Sequence, residues 1–157
     1  MLDVLAASAV LALAHAEAQP VPFHEPKEWV QVAPPPRDRL VSDSGALDVG
    51  VGLYTDCSRA TDLTHTEAAI DACIHGKTYF IGHNPGPFTA TLDLKSGSEL
   101  TYFDDAGTAH RLRIVSERTW NRFWGAPPLA RPDVTAQFQT CVTLDAVWDR
   151  ILDAVPE

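Results

Sequence analysis

Leu100 to Phe103 and Thr108 to Val115 flank the turn Asp104-Asp105-Ala106-Gly107. Two apolar runs on either side of an Asp- and Gly-rich turn are a strong hairpin signal. In the second arm His110, Leu112 and Ile114 face one way while Arg111 and Arg113 face the other, the period of two that a strand imposes. The same period recurs through most of the chain beyond Leu40. Val49 and Val51 alternate with glycines, and Leu53 and Tyr54 close that unit. Thr78-Tyr79-Phe80-Ile81 is dense in strand formers and stops at Gly82, Leu92 and Leu94 alternate with polar residues, and Val134 to Thr140 is a further strand. Thr64 or Thr66 can cap a short helix through Ala72, with Glu67 in its first turn. About seven or eight short strands with long connections and one or two short helices predict a mainly β protein, a closed or nearly closed barrel.

Two segments carry mixed signals. Leu144, Val147 or Trp148, Ile151 or Leu152, and Val155 recur at helical spacing, yet Arg150 to Val155 also reads as a strand. A short helix from Thr143 to Asp149 running into a strand satisfies both patterns. Ser116 to Pro132, with Trp120, Phe123, Trp124 and three prolines, reads as a long loop, either a binding loop or a cap on the core edge.

The N-terminal part is organised differently. Val4 to Ala14 is a short apolar run followed by Ala14-His15-Ala16 and Ala16-Glu17-Ala18, the shape of an export signal with small residues at a cleavage site. Met1-Leu2-Asp3 lacks the usual basic residue. Residues 1–18 are therefore read as a signal peptide or a truncated membrane-anchor segment, which would place the protein outside the cell or at its surface, with membrane association through the N-terminus as one form. Residues 19–39, centred on Pro34-Pro35-Pro36, read as an extended linker. Residues 40–157 form the barrel domain. With 21 acidic and 12 basic residues and a formal charge of −9, a nucleic-acid partner is not expected.

Three cysteines leave one over if a disulfide forms. Cys57 and Cys73 are close in sequence and are the natural pair; closing a loop of that size stabilises a domain by about 3 kcal/mol. The alternative, a metal site from Cys57, Cys73, His65 and His75, matches no common zinc spacing, so neither metal nor other cofactor is expected. Cys141 is then a lone thiol, either a small buried core residue or a nucleophile. A nucleophilic cysteine needs a neighbouring imidazole or cation and a donor for the oxyanion. Arg150 follows Cys141 by nine residues across a segment that can turn back. His83 comes directly after a strand, in Gly82-His83-Asn84-Pro85-Gly86. His24, His65, His75 and His110 show no partner pattern.

At Phe80-Ile81-Gly82-His83-Asn84, Thr140-Cys141 and Arg150-Ile151-Leu152 the sequence resembles the sortases, in the order His, Cys, Arg. The step from Cys141 to Arg150 is like that in several actinobacterial and pilin-type sortases. The resemblance covers about Leu47 to Ala154. Two features depart from it: sortases usually carry Thr-Leu-x-Thr-Cys where this chain has Gln137-Phe138-Gln139-Thr140-Cys141, and the insert between Cys57 and Cys73 is not a general feature.

The resemblance implies a cysteine transpeptidase on a β-barrel. Cys141 would attack the carbonyl after a Thr in a C-terminal sorting signal, usually of the Leu-Pro-x-Thr-Gly kind. His83 would protonate the departing amine, and Arg150 would hold substrate and oxyanion. The thioacyl-enzyme would pass to an amine of a cell-wall precursor, to a pilin lysine, or to water. Thr140 would line the groove, Trp120 and Trp124 would supply apolar contacts, and Asn84 would assist His83. The rival from another class is a secreted, disulfide-stabilised domain of the same shape that binds peptides or partner proteins without turnover. An L,D-transpeptidase would need Ser-x-Gly-Cys-x-Arg, and papain-like enzymes place Cys before His; neither pattern fits.

Overall fold

The computed structural model describes residues 37–57, 63, 66–125 and 130–157. The export and linker readings for residues 1–36 lie outside these. Among the described residues no helix is long and apolar enough to cross a membrane.

The alternating segments form strands because each can bury one face. They are β1 (Arg39–Ser42), β2 (Asp48–Tyr54), β3 (Ala68–Asp71), β4 (Thr78–Ile81), β5 (Glu99–Phe103), β6 (Ala109–Asn121), β7 (Ala136–Cys141) and β8 (Trp148–Pro156). They close into a barrel in the order β1-β2-β3-β4-β7-β8-β6-β5. The β2–β3 and β4–β7 pairs are parallel, and the rest are antiparallel. Closure removes unpaired edges, so no strand of the barrel is left as a template for aggregation.

Inward residues of the strands meet in one core. Leu40, Phe80, Leu100, Ile114, Phe138 and Leu152 are almost completely buried there. The rings of Phe80 and Phe138, neighbours in the β4–β7 register, stack with centroids 4.9 Å apart. Three short elements differ from the sequence reading. The helix expected through Ala72 is strand β3, because Ala68 and Ala69 are buried where the segment pairs with β2 and β4, and tertiary pairing overrides alanine's helical propensity. Leu92 and Leu94 belong to and follow a 3-10 helix, Thr89–Asp93, rather than a strand; Thr91 turns inward and donates to the Phe88 carbonyl at 2.6 Å. The helix expected over Thr143 to Asp149 is a tight turn leading into β8. Ala146 there has φ +54°, and the turn closes through Ala146 N to Thr143 O at 2.9 Å and Val142 N to Trp148 O at 2.7 Å.

The segment read as a loop from Ser116 is strand as far as Asn121, followed by a 3-10 helix, Arg122–Trp124; residues 126–129 lie outside the described set. β6 extends because β8 is long enough to pair with it throughout, across a bulge between Ile114 and Ser116. On the outer face, buried polar groups satisfy one another. Asp153 accepts from Gln137 at 2.8 Å, Ser116 at 2.6 Å and Arg118 at 2.7 Å. His110 is exposed at the rim, hydrogen-bonded through Nε2 to Asp104 at 2.9 Å. Cys57 and Cys73 are disulfide-bonded, with Cα atoms 5.6 Å apart.

Candidate active site

The parallel pairing of β4 with β7 brings their C-terminal ends together, and the residues just beyond those ends are tied by side chains. Thr140, buried, donates to the Gly82 carbonyl at 2.9 Å, and the Gly82 amide donates to the Gln139 carbonyl at 3.3 Å. Asn84 donates to the Cys141 carbonyl at 2.8 Å, while its own oxygen accepts from Thr89 at 3.0 Å. The loop carrying His83 is thus fastened on both sides of that residue to the strand carrying Cys141. Thr140 and Asn84 act as ties. Below them Phe88, fully buried, anchors the loop, its amide donating to the His83 carbonyl at 3.0 Å.

Gly82 is required by that anchor. A Cβ built there would lie 2.6 Å from Cγ of Phe88, a rigid ring with no space to retreat. Gly82→Ala is expected to cost about 1–3 kcal/mol, the usual penalty of overpacking. A thermal melt should then show a Tm lowered by about 4–12 °C.

Cys141 and His83 line a cavity of about 610 Å³, together with Gln139, Asp149, Trp120 and Arg122. That volume suits a peptide segment or small ligand. The disulfide cysteines border it as well. Cys141 is the free thiol, half-buried, so the sulfur is neither sealed in the core nor bridged. His83 is half-buried, its Nε2 donating to the Leu63 carbonyl at 3.1 Å.

The register of β7 with β8 places Cys141 opposite Asp149 and Thr140 opposite Arg150. Directly opposed residues share a face, so Cys141 shares one with Asp149, and Arg150 shares the alternate one with Thr140, which also lines the cavity. The Arg150 guanidinium does not line the cavity. It donates to the Leu94 carbonyl at 2.6 Å and also to the Leu92 carbonyl and Glu117. Strand alternation thus sets the Cys141 thiol and the Arg150 guanidinium on alternate faces of the β7–β8 pair. The cavity guanidinium is that of Arg122, which also donates to the Ala146 carbonyl at 3.2 Å on the β7–β8 turn. Trp120 lines the cavity; Trp124 lies outside its lining, largely exposed, edge-on to Trp148 at 5.2 Å.

Asp149 and Arg122 escaped the sequence reading. Asp149 is 1% exposed. One carboxylate oxygen accepts from Gln139 at 2.7 Å, and Gln139 in turn accepts from Tyr79 at 2.6 Å. Burial pushes the Asp149 carboxyl up, while Arg122 and the hydrogen bonds from Cys141 and Gln139 pull it back. Burial likewise pushes the Cys141 thiol up, the Asp149 charge and hydrogen bond add to that, and Arg122 partly opposes them. A sequence signal existed for Asp149: counting back from the turn that joins the last two strands sets it across from Cys141.

No family model and no curated protein matches the sequence. Solved structures do match. Sortase A from Corynebacterium diphtheriae, as a lid mutant, superposes with a TM-score of 0.60 at 11% identity, covering 76% of this chain and 68% of that one. Sortase A of Listeria monocytogenes gives 0.58 at 12% identity, over 76% and 85%. A sortase C of Streptococcus pneumoniae gives 0.61 at 11% identity, over 77% and 68%. With the eight strands closed in this order, the barrel has the sortase fold.

Proposed function

We propose that the protein is a sortase-like cysteine transpeptidase. The observation that carries the reading is a free thiol, Cys141, in one cavity with His83, the two held together by the Thr140 and Asn84 ties. The Cys141 sulfur, as thiolate, attacks the carbonyl carbon after a Thr in a C-terminal sorting signal. The carbon–nitrogen bond breaks, and the departing amine takes its proton from His83 as imidazolium. The acyl group of the thioester left on Cys141 passes to an amine of a cell-wall precursor or a pilin lysine, or to water, whose proton goes to the now neutral His83 while the sulfur leaves as thiolate.

Arg150 is the proposed anion-binding group. It flanks Cys141 diagonally across the β7–β8 pair, and its planar fork suits a carboxyl-like oxyanion. To serve there its fork must leave Glu117 and the Leu92 and Leu94 carbonyls and swing past the strand end to the substrate's oxygen; catalytic hydrogen bonds commonly tighten only in the Michaelis complex. Trp120 and Trp124 offer apolar contact for the peptide beside the cavity. Export to the cell surface follows from the same reading and agrees with the disulfide, a bond that persists in oxidising compartments.

The test is ligation. A Leu-Pro-x-Thr-Gly peptide and an amine acceptor are incubated with the protein, and the products are read by mass. A Thr–amine ligation product supports transpeptidation. Cleavage to the free acid alone reduces the activity to hydrolysis. An unchanged peptide favours the peptide-binding reading, which then requires saturable binding of the same peptide.

A further inference from the structure

Asp149 carries a feature that the transpeptidase scheme leaves unused. Its Oδ1 is buried and has no partner at normal hydrogen-bond geometry among the described residues, the looser contact with the Cys141 thiol apart, while Oδ2 is fixed by Gln139. A buried acceptor left unpaired costs free energy, so its retention asks for a reason. Across the strand pair stands the Cys141 thiol, a weak donor that shares its face and its cavity.

The remaining charged or titratable groups around the thiol come from several walls of the cavity: Arg122 after β6, His83 after β4, Tyr54 at the end of β2, Asp71 at the end of β3 and His75 beyond it. Among them Arg122 is the permanent cation. Its guanidinium is braced on the Ala146 carbonyl, at the turn that joins the thiol strand to the carboxylate strand. An anion and a cation therefore share one cavity with the thiol.

We propose that Asp149 and Arg122 form a charge lock on Cys141: the carboxylate keeps the proton on sulfur, and the guanidinium favours its release. Asp149 is thus a positioning residue that acts through the nucleophile. The directions of the thiol and carboxyl shifts given above agree with this geometry. Because oxidation follows thiolate character and exposure, the lock keeps a lone extracellular thiol reduced until a substrate engages it. The role as a brake on catalysis rests on the transpeptidase reading, but the lock itself does not.

The experiment therefore reads the thiol without requiring turnover. Cys141 in folded, disulfide-intact protein is alkylated with iodoacetamide from pH 5 to 10, and the modified peptide is followed by mass. Asp149→Asn is expected to move the midpoint to lower pH and to speed alkylation at pH 7 by about tenfold or more, since one unit of midpoint is tenfold in thiolate. Arg122→Gln is expected to move the midpoint the opposite way. An unchanged or raised midpoint in Asp149→Asn overturns the lock. Should Asp149→Asn fail to fold, Arg122→Gln decides alone: a raised midpoint supports the lock and an unchanged one overturns it. A protein that forms no thioester with any sorting-signal peptide, yet shows both shifts, keeps the lock and loses the transpeptidase reading. One that forms the thioester without the shifts keeps the reading and loses the lock.

Discussion

His83→Ala is expected to lower turnover of a sorting-signal peptide by at least about a hundredfold, with KM little changed. The expulsion of an amine from a tetrahedral intermediate needs a proton, and His83 is the imidazole that the Thr140 and Asn84 ties hold beside the thiol strand. Because these ties hold the loop through the Gly82 carbonyl and the Asn84 side chain, removing the imidazole should leave the loop in place. The melting temperature is then expected to stay within the range of ordinary surface substitutions, while kcat falls. An activated ester makes the assignment sharper. Its leaving group departs without protonation, so acylation of Cys141 by such an ester should be far less sensitive to His83→Ala than acylation by a peptide. Equal losses on both substrates would move His83 from acid to structural support.

Arg150→Ala is expected to lower peptide turnover by at least about a hundredfold as well, the loss seen when an oxyanion donor is removed. Its present partners make a structural role the competing explanation. The fork holds the carbonyls of Leu92 and Leu94, where the 3-10 helix ends, and pairs with Glu117. A purely structural Arg150 would lower the melting temperature and leave the turnover of the remaining folded protein intact. Arg122→Ala separates the two guanidinium groups by pH. Arg122 opposes the upward push on the thiol, so its loss raises the thiol midpoint, and the deficit is greatest at neutral pH. That deficit shrinks as pH rises through the new midpoint, because thiolate then forms without help. The Arg150→Ala deficit should persist across the same range, since it concerns the oxyanion. Steady-state rates from pH 6 to 10 for the two variants distinguish these behaviours.

Strands whose two faces differ were legible in the sequence. The β5–β6 hairpin followed from its turn, and Thr78 to Ile81 coincides with β4, because Gly82 stops the run where Phe88 needs the space. The disulfide followed from cysteine count and proximity. The last strand was legible only in part: Arg150 to Val155 reads as a strand and lies within β8, but the residues before it read as a helix. In β8, Ile151, Leu152, Asp153 and Ala154 are all buried, so the alternation that marks a strand disappears and a helical spacing emerges by coincidence. Leu144, the first member of that apparent helical stripe, is 91% exposed.

The site was legible in part, for the same reason. His83 and Cys141 sit at strand ends, where a glycine or a turn announces the boundary, and the structure brings both to one cavity. Arg150 lies one residue from the position that faces the thiol, and a shift of one residue in a strand reverses the face. Spacing along the chain gave its proximity but not its direction. Asp149 and Gln139 read as ordinary polar residues because their burial is a tertiary property. Arg122 was hidden in a segment that reads as loop; it follows directly on β6, whose pairing with β8 carries it to the cavity.

Intact-mass analysis of the protein mixed with a sorting-signal peptide, followed by mapping of the modified fragment, tests the central claim most directly. The expected result is an acyl adduct on the fragment containing Cys141, absent in Cys141→Ala and discharged by an added amine. A wild-type protein that remains unmodified while its Cys141 reacts freely with iodoacetamide would contradict the account, because the thiol would then be reachable and still not acylated.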